Sequence, residues 1–184
     1  MEKRGGERVY YNYPAYQQNQ WMPMMNAYPN YMNWNHSHQQ ANPYTMQSMC
    51  QDFGGRPYVV NIEEATKRNN TYRTAIWTGT HLQVTLMCIG VGEDIGLETH
   101  PNTDQFLRIE AGQGLVLMGK GPNQLEFRQY VTDGDAIMIP AGAWHNLVNT
   151  GNCPLKLYSI YAPPEHPFGT VHQTKEAAMY EENH

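Results

Sequence analysis

No stretch of this 184-residue chain approaches the run of about 20 apolar residues that a membrane-spanning helix requires. The N-terminal MEKRGGERVYYNY has a charged start but no apolar run behind it, so neither a targeting leader nor membrane association is expected. Cysteine is scarce. Cys50, Cys88 and Cys153 are odd in number and far apart, form no CxxC pair and suggest no disulfide framework. They read as reduced, partly buried thiols of a cytoplasmic protein. Basic clusters are also missing. The formal net charge is −5, and residues 1–50 carry +1 of it, which leaves −6 on the rest. Phosphate contacts need clustered Lys and Arg, so general nucleic-acid binding is excluded.

Charge is absent altogether from residues 9–51, which hold seven Tyr, two Trp and six Met among many Asn, Gln and Pro. Apolar and polar residues mix there without a period of 2 or 3.6, so no core-forming face emerges. Pro14, Pro23, Pro29 and Pro43 interrupt any helix or central strand. The composition is that of a prion-like low-complexity segment, disordered alone and prone to associate. We therefore expect residues 1–52 to form a disordered tail. His36 and His38 within it read as solvated, with weak adventitious metal binding at most.

From Pro57 the texture changes. PYVVNI reads as a strand and IEEATKRNN as a short helical turn. β-rich runs follow at 72–78, 81–90, around 95–100, and at 105–112, 114–119, 125–131, 135–140, 144–149 and 155–162. AGQG, GKGPN, TDG and TGN separate several of them. Eight or nine short strands at this spacing predict an all-β sandwich or barrel over residues 53–170. The terminal segment 171–184 carries KEAAMYEEN, which suits one short helix.

The residues that carry chemistry lie in two clusters. In GDAIMIPAGAWHNLVN, Asp133-Gly134 makes a tight turn into a strand, Pro140 ends it and Gly142 allows the next bend. His145 then sits early on the returning strand. Upstream, Glu98 and His100 are two apart, so on a strand both point to one face. Across the PNTD turn Gln105 begins another strand and, in an antiparallel pair joined by that turn, can face the same interior. Glu98, His100, Gln105 and His145 are thus the candidate metal ligands. Two imidazoles, a carboxylate and an amide oxygen suit one divalent ion of Zn, Mn, Fe, Co or Ni.

These two clusters resemble the paired motifs of the cupin superfamily. The second motif, G-x5-P-x-G-x2-H-x3-N, is matched at every defined position from Gly134 to Asn149. The first, G-x5-H-x-H-x3–4-E-x6-G, is matched at Gly92, His100 and Gly112, with Glu98 in place of the first His and Gln105 in place of the Glu. The resemblance covers about 110 residues and implies a jelly-roll β-barrel with a metal in its mouth. The departures leave one carboxylate and both remaining histidines. Type I phosphomannose isomerases, which are cupin-like, also combine Gln, Glu and two His. GLETHPNTDQFLRIEAGQG and LKLYSIYAPPEHPFGTVHQTKEAA resemble small stand-alone bacterial cupins, often labelled mannose-6-phosphate isomerase-like.

Three functions follow as expectations. The first is a metal-dependent isomerase or lyase that acts on a small sugar or sugar phosphate; no general base stands out by sequence, and few Arg or Lys exist to cradle a phosphate, Arg108 and Lys120 being the contributors at hand. The second is a dioxygenase with Glu98, His100 and His145 around the metal. The third is a non-enzymatic spore-coat-like assembly protein that uses its tail for self-association. The resemblance implies a homodimer, and a cytoplasmic or spore-coat location is expected. His166 and His172 follow the last strand and read as surface loop residues, although they could fold over the barrel mouth. Tyr158 and Tyr161 face opposite sides of that strand, so one of them lines the pocket. Glu93 and Asp94 read as exposed turn acids.

Overall fold

The computed structural model describes residues 51–182. In chain order these form α1 (Ile62–Arg68), β1 (Arg73–Thr78), β2 (Gln83–Ile89), β3 (Asp104–Ala111), β4 (Gln113–Gly119), β5 (Phe127–Thr132), β6 (Ala136–Ile139), β7 (Trp144–Asn149), β8 (Leu155–Ala162), β9 (Val171–His172) and α2 (Lys175–Glu182). The strands make a six-stranded sheet in the order β6-β3-β8-β2-β1-β9 and a three-stranded sheet in the order β5-β4-β7. Every strand pair is antiparallel. This is the expected all-β jelly roll with a short C-terminal helix. The tail calls, including His36, His38 and Cys50, lie outside the described residues.

Period-2 alternation fills the space between the sheets. On β8, Leu155, Leu157, Ser159 and Tyr161 are buried while the residues between them are not. The pairing register lines these up with β2 and β3 in rows: Ile109–Leu157–Met87, then Leu107–Ser159–Thr85, then Gln105–Tyr161–Gln83. Each row runs across three strands of the six-stranded sheet. The first is aliphatic, and the third is polar or phenolic. On β7 the same change runs back from Leu147 to His145. One end of the barrel is therefore a hydrophobic core, with Met87, Ile89, Leu107, Ile109, Leu147 and Leu157 no more than 1% exposed. The other end is lined with buried polar groups, which need partners there or a ligand.

Four sequence expectations change. PYVVNI is not a strand. Val59 is 96% exposed with no neighbouring strand to pair with, and Asn61 instead caps α1, its side-chain oxygen accepting from the Glu64 amide at 3.1 Å. Residues 95–100 form no continuous strand; Asp94 and Glu98 make single bridges to Val148 and His145 of β7. β9, invisible as a two-residue run, pairs with β1 through Arg73–His172 and Thr74–Val171 and carries the sheet past residue 170. Asp94 is also more than an exposed acid: it is half-buried, caps the Gly96 amide and takes the Lys175 ammonium at 2.6 Å, which ties α2 to the 94–98 segment.

Candidate metal centre

Glu98 and His145 lie directly opposite each other. The Glu98 amide donates to the His145 carbonyl at 3.0 Å, and the His145 amide donates back to the Glu98 carbonyl at 2.9 Å. A directly opposed antiparallel pair sends both side chains to one face. Two neighbouring bonds hold the same segment along β7, Ile95 N–H to Leu147 C=O and Asn149 N–H to Glu93 C=O. His100 is fixed two residues on, where Gly142, in a left-handed conformation at φ 79°, donates its amide to the His100 carbonyl at 2.9 Å. The Pro140–Gly142 bend therefore aligns the segment that carries His100 with the one that carries His145.

One ligand atom from each of Glu98, His100 and His145 lies within 4.8 Å of the others. Glu98 Oε1 is 3.4 Å from His100 Nε2 and 3.3 Å from His145 Nε2, distances of ion pairing; none of the three atoms makes a hydrogen bond. The ring nitrogens on the far side are engaged. His100 Nδ1 faces Glu165 Oε1 at 3.1 Å, and His145 Nδ1 faces the Ala143 carbonyl at 3.0 Å. With Nδ1–H donated to those oxygens, both Nε2 lone pairs point at Glu98, the tautomer a metal needs.

Gln105 comes from the other sheet. The antiparallel pair across the PNTD turn, by which we placed it, does not form: Glu98 borders β7 in the three-stranded sheet, whereas β3 lies between β6 and β8 in the six-stranded one. The turn carries the chain from one sheet to the other. Gln105 is nevertheless buried, level with Tyr161 on the inward face, and Tyr161 meets the His100 ring edge-on at 5.6 Å between centroids. The Gln105 amide nitrogen donates to Ser159 Oγ at 3.1 Å, which leaves its carbonyl oxygen buried without a hydrogen-bond partner. Glu98 Oε1, His100 Nε2 and His145 Nε2 lie together and could hold a divalent ion, and Gln105 Oε1 is unpartnered at the same polar end of the barrel.

The carboxylates and imidazoles stabilise one another's charged forms, so a metal would displace a proton from His100. Burial pushes the Glu98 carboxyl up, but His100, His145 and the Arg73 guanidinium outweigh it and hold it at about 2. Burial pulls His100 down, yet the Glu98 and Glu165 carboxylates prevail and raise it. Tyr161, fully buried, is pushed up to about 12, with Arg73 pulling the other way. Burial, helped by Arg73, holds His166 down at about 3, so its imidazole is neutral.

The C-terminal strap overturns the surface-loop reading of His166 and His172. His172 is buried on β9, with Nε2 2.9 Å from Glu181 Oε2. His166 is half-buried, meets the Tyr161 ring edge-on at 5.0 Å and has its Nε2 buried without a hydrogen-bond partner. Gln83 clamps its backbone: the Gln83 Nε2 donates to the His166 carbonyl at 2.9 Å, and the His166 amide donates to Gln83 Oε1 at 3.0 Å. The strap roofs a cavity of about 380 Å³ whose walls include Glu98, His100, Glu165, His166, His172 and Glu181. Of the two tyrosines, Tyr161 is the one that faces inward. A second cavity, of about 410 Å³, opens at the other end of the three-stranded sheet around Gln113, Tyr130 and Thr132, away from these groups. Glu165, Gln83 and Ser159 had no motif signal; only the EH pair at the exit of the last strand hinted at Glu165.

Comparison with known proteins gives a consistent picture. The profile of the cupin domain matches residues 85–161. The uncharacterized protein YrkC of Bacillus subtilis is 64% identical over 135 residues, 73% of this chain and 73% of YrkC. The uncharacterized protein L612 of Acanthamoeba polyphaga mimivirus is 44% identical over 115 residues, 62% of this chain and 70% of L612. The crystal structure of BH2720 from Bacillus halodurans superposes with a TM-score of 0.70 at 66% identity, covering 71% of this chain and 98% of that one.

Proposed function

The chain belongs to the cupin superfamily, and from that premise we propose that its barrel holds one divalent metal ion through Glu98, His100, Gln105 and His145 and serves an isomerase or lyase that acts on a small sugar-like substrate. The observation that carries the reading is the set of four buried donor atoms, Glu98 Oε1, His100 Nε2, Gln105 Oε1 and His145 Nε2, none with a hydrogen-bond partner. A bound divalent ion would polarise a substrate oxygen and make the neighbouring C–H bond more acidic.

The chain's own residues supply the rest. Glu165 and Ala143 fix the two imidazole tautomers. Gln83 holds the His166 backbone so that its neutral imidazole faces the cavity that Glu98 and His100 also line. His166 thus places a neutral imidazole on the cavity wall, where it can position a substrate hydroxyl; held down at about 3, it is too weak a base to take a proton from carbon near neutral pH. Pro167 adds an apolar ring to the same wall. The test is aldose–ketose interconversion across a panel of free sugars and sugar phosphates with the metal-loaded full-length chain. Turnover that survives His166→Asn undiminished would contradict the role given to His166. Absence of turnover across the panel would contradict the isomerase reading.

A second reading draws on a different observation. The two imidazoles and one carboxylate within 4.8 Å match the arrangement of non-haem iron oxygenases. Oxygen uptake by the iron-loaded chain in the presence of a reductant would favour that reading over the isomerase. The assembly reading rests on residues 1–50, outside the described residues.

A further inference from the structure

The wall of the 380 Å³ cavity carries three carboxylates, Glu98, Glu165 and Glu181, beside the Thr99 hydroxyl and the imidazoles of His100, His166 and His172. Glu165 and Glu181 contribute carboxylates, which can only accept hydrogen bonds. The Glu165 side chain is 29% exposed and already engages His100; Glu181 sits at the rim with 66% exposure and engages His172. His166 adds a buried Nε2 with no hydrogen-bond partner. Among the described residues, no Lys or Arg lines the cavity. Arg73 acts from below, 1% exposed on β1.

Resting on the metal-site reading above, we propose that this cavity takes an uncharged, hydroxyl-rich small molecule, a polyol or a hydroxycarbonyl compound, and disfavours the corresponding phosphate ester. Hydroxyl groups donate to carboxylates and accept from or donate to an imidazole, so each can be satisfied by Glu165, Glu181 and His166. A phosphate has oxygens that accept and little to donate. Placed on such a ligand away from the metal-binding end, it would be brought close to the Glu165 and Glu181 carboxylates of like charge. The cavity volume lies within the range of small-molecule sites and suits a ligand of three to about six carbons.

The experiment is isothermal titration calorimetry on the full-length chain loaded with Zn²⁺, with metal content measured on the same sample. The probes are matched pairs, dihydroxyacetone with its phosphate and mannose with mannose 6-phosphate. The expected result is binding of the neutral member of at least one pair, at least about tenfold tighter than its ester. Replacing the rim carboxylate by Glu181→Arg should narrow that gap by about tenfold, since it exchanges repulsion for attraction at an exposed position. Esters that bind as tightly as, or tighter than, their parents overturn the proposal, as does a loaded protein that binds neither member of either pair. Failure of the chain to take up metal overturns the underlying site and this proposal together, and the elemental measurement distinguishes that outcome from the others.

Discussion

Asn149 closes the second sequence motif, and the structure makes its contribution calculable. It is 2% exposed, and its side-chain amide nitrogen is shared by the carbonyls of Ile89 and Gly90, both at 3.0 Å, and of Cys153 at 2.9 Å. Its side-chain oxygen accepts from the Gly151 amide at 2.9 Å. Asn149→Ala removes all four bonds and strands main-chain groups in the interior. At about 1 kcal/mol net per bond, with a surcharge for buried groups left unpaired, the loss should be about 3–5 kcal/mol. For a folded unit of this size that corresponds to a fall in Tm on the order of 10–20 °C. Urea denaturation followed by circular dichroism should show a lower midpoint with an unchanged slope. Asn149→Asp keeps the volume and one acceptor but turns a carboxylate oxygen toward three carbonyls, so it should be at least as damaging. A loss under about 1 kcal/mol for the alanine variant, or an aspartate variant milder than the alanine one, would refute the reasoning. The same bonds hold the 90–93 turn ahead of Glu98, so the alanine variant should also bind metal more weakly.

Further outcomes follow from the strap and the site. Glu165→Ala removes the acceptor that orients His100 and should weaken metal affinity about 10–100-fold in a competitive-chelator titration; unchanged affinity would deny Glu165 that role. Metal should raise stability as it saturates the site, by about 2.7 kcal/mol at a hundred times its dissociation constant, and a chelator should reverse the gain in a thermal melt. The depressed pKa of His166 has a defined sign. The unfolded chain protonates this imidazole near pH 6.5, whereas the folded chain resists until about pH 3, so falling pH favours unfolding across that window. Between pH 6.5 and 4.5 wild-type metal-free protein should lose about 2 kcal/mol more stability than His166→Asn, the Glu98 contribution being common to both proteins. Equal slopes for the two proteins in urea titrations would count against a buried neutral His166. His100 works in the opposite sense, its stabilisation being lost as pH rises through its raised value.

The sequence disclosed this fold through local pattern. Alternation or β-branched and aromatic enrichment marked eight of the nine strands, although β1 and β5 do not alternate in burial, and the Gly134–Asn149 motif located its bend and its histidine because Pro140 and Gly142 have few other uses in that order. β9 escaped because two residues carry no period, and Val59 misled because a β-branched run was read as a strand without a partner to pair with. At the site, Glu98 and His100 were legible from spacing and His145 from its motif. Gln105 was placed in the interior by an incorrect route: the hairpin assumed for it does not exist, and its burial depends on the register with Tyr161 across the six-stranded sheet. Glu165, Gln83 and the inward turn of His166 and His172 arise from a strap that returns over the mouth. No local pattern encodes such a return, because it is set by contacts some 80 residues apart, such as Gln83 with His166.

The central claim is that the barrel holds one divalent ion between Glu98, His100, Gln105 and His145. Elemental analysis of the full-length chain, purified without a metal-affinity tag, tests it most directly when wild type is compared with a His100→Ala, His145→Ala double variant that circular dichroism shows to be folded. The account predicts near-stoichiometric metal in wild type and its loss in the double variant. Wild-type protein that remains free of metal after soaking with Zn²⁺, Mn²⁺, Fe²⁺ and Ni²⁺, or a double variant that retains as much metal as wild type, would contradict it.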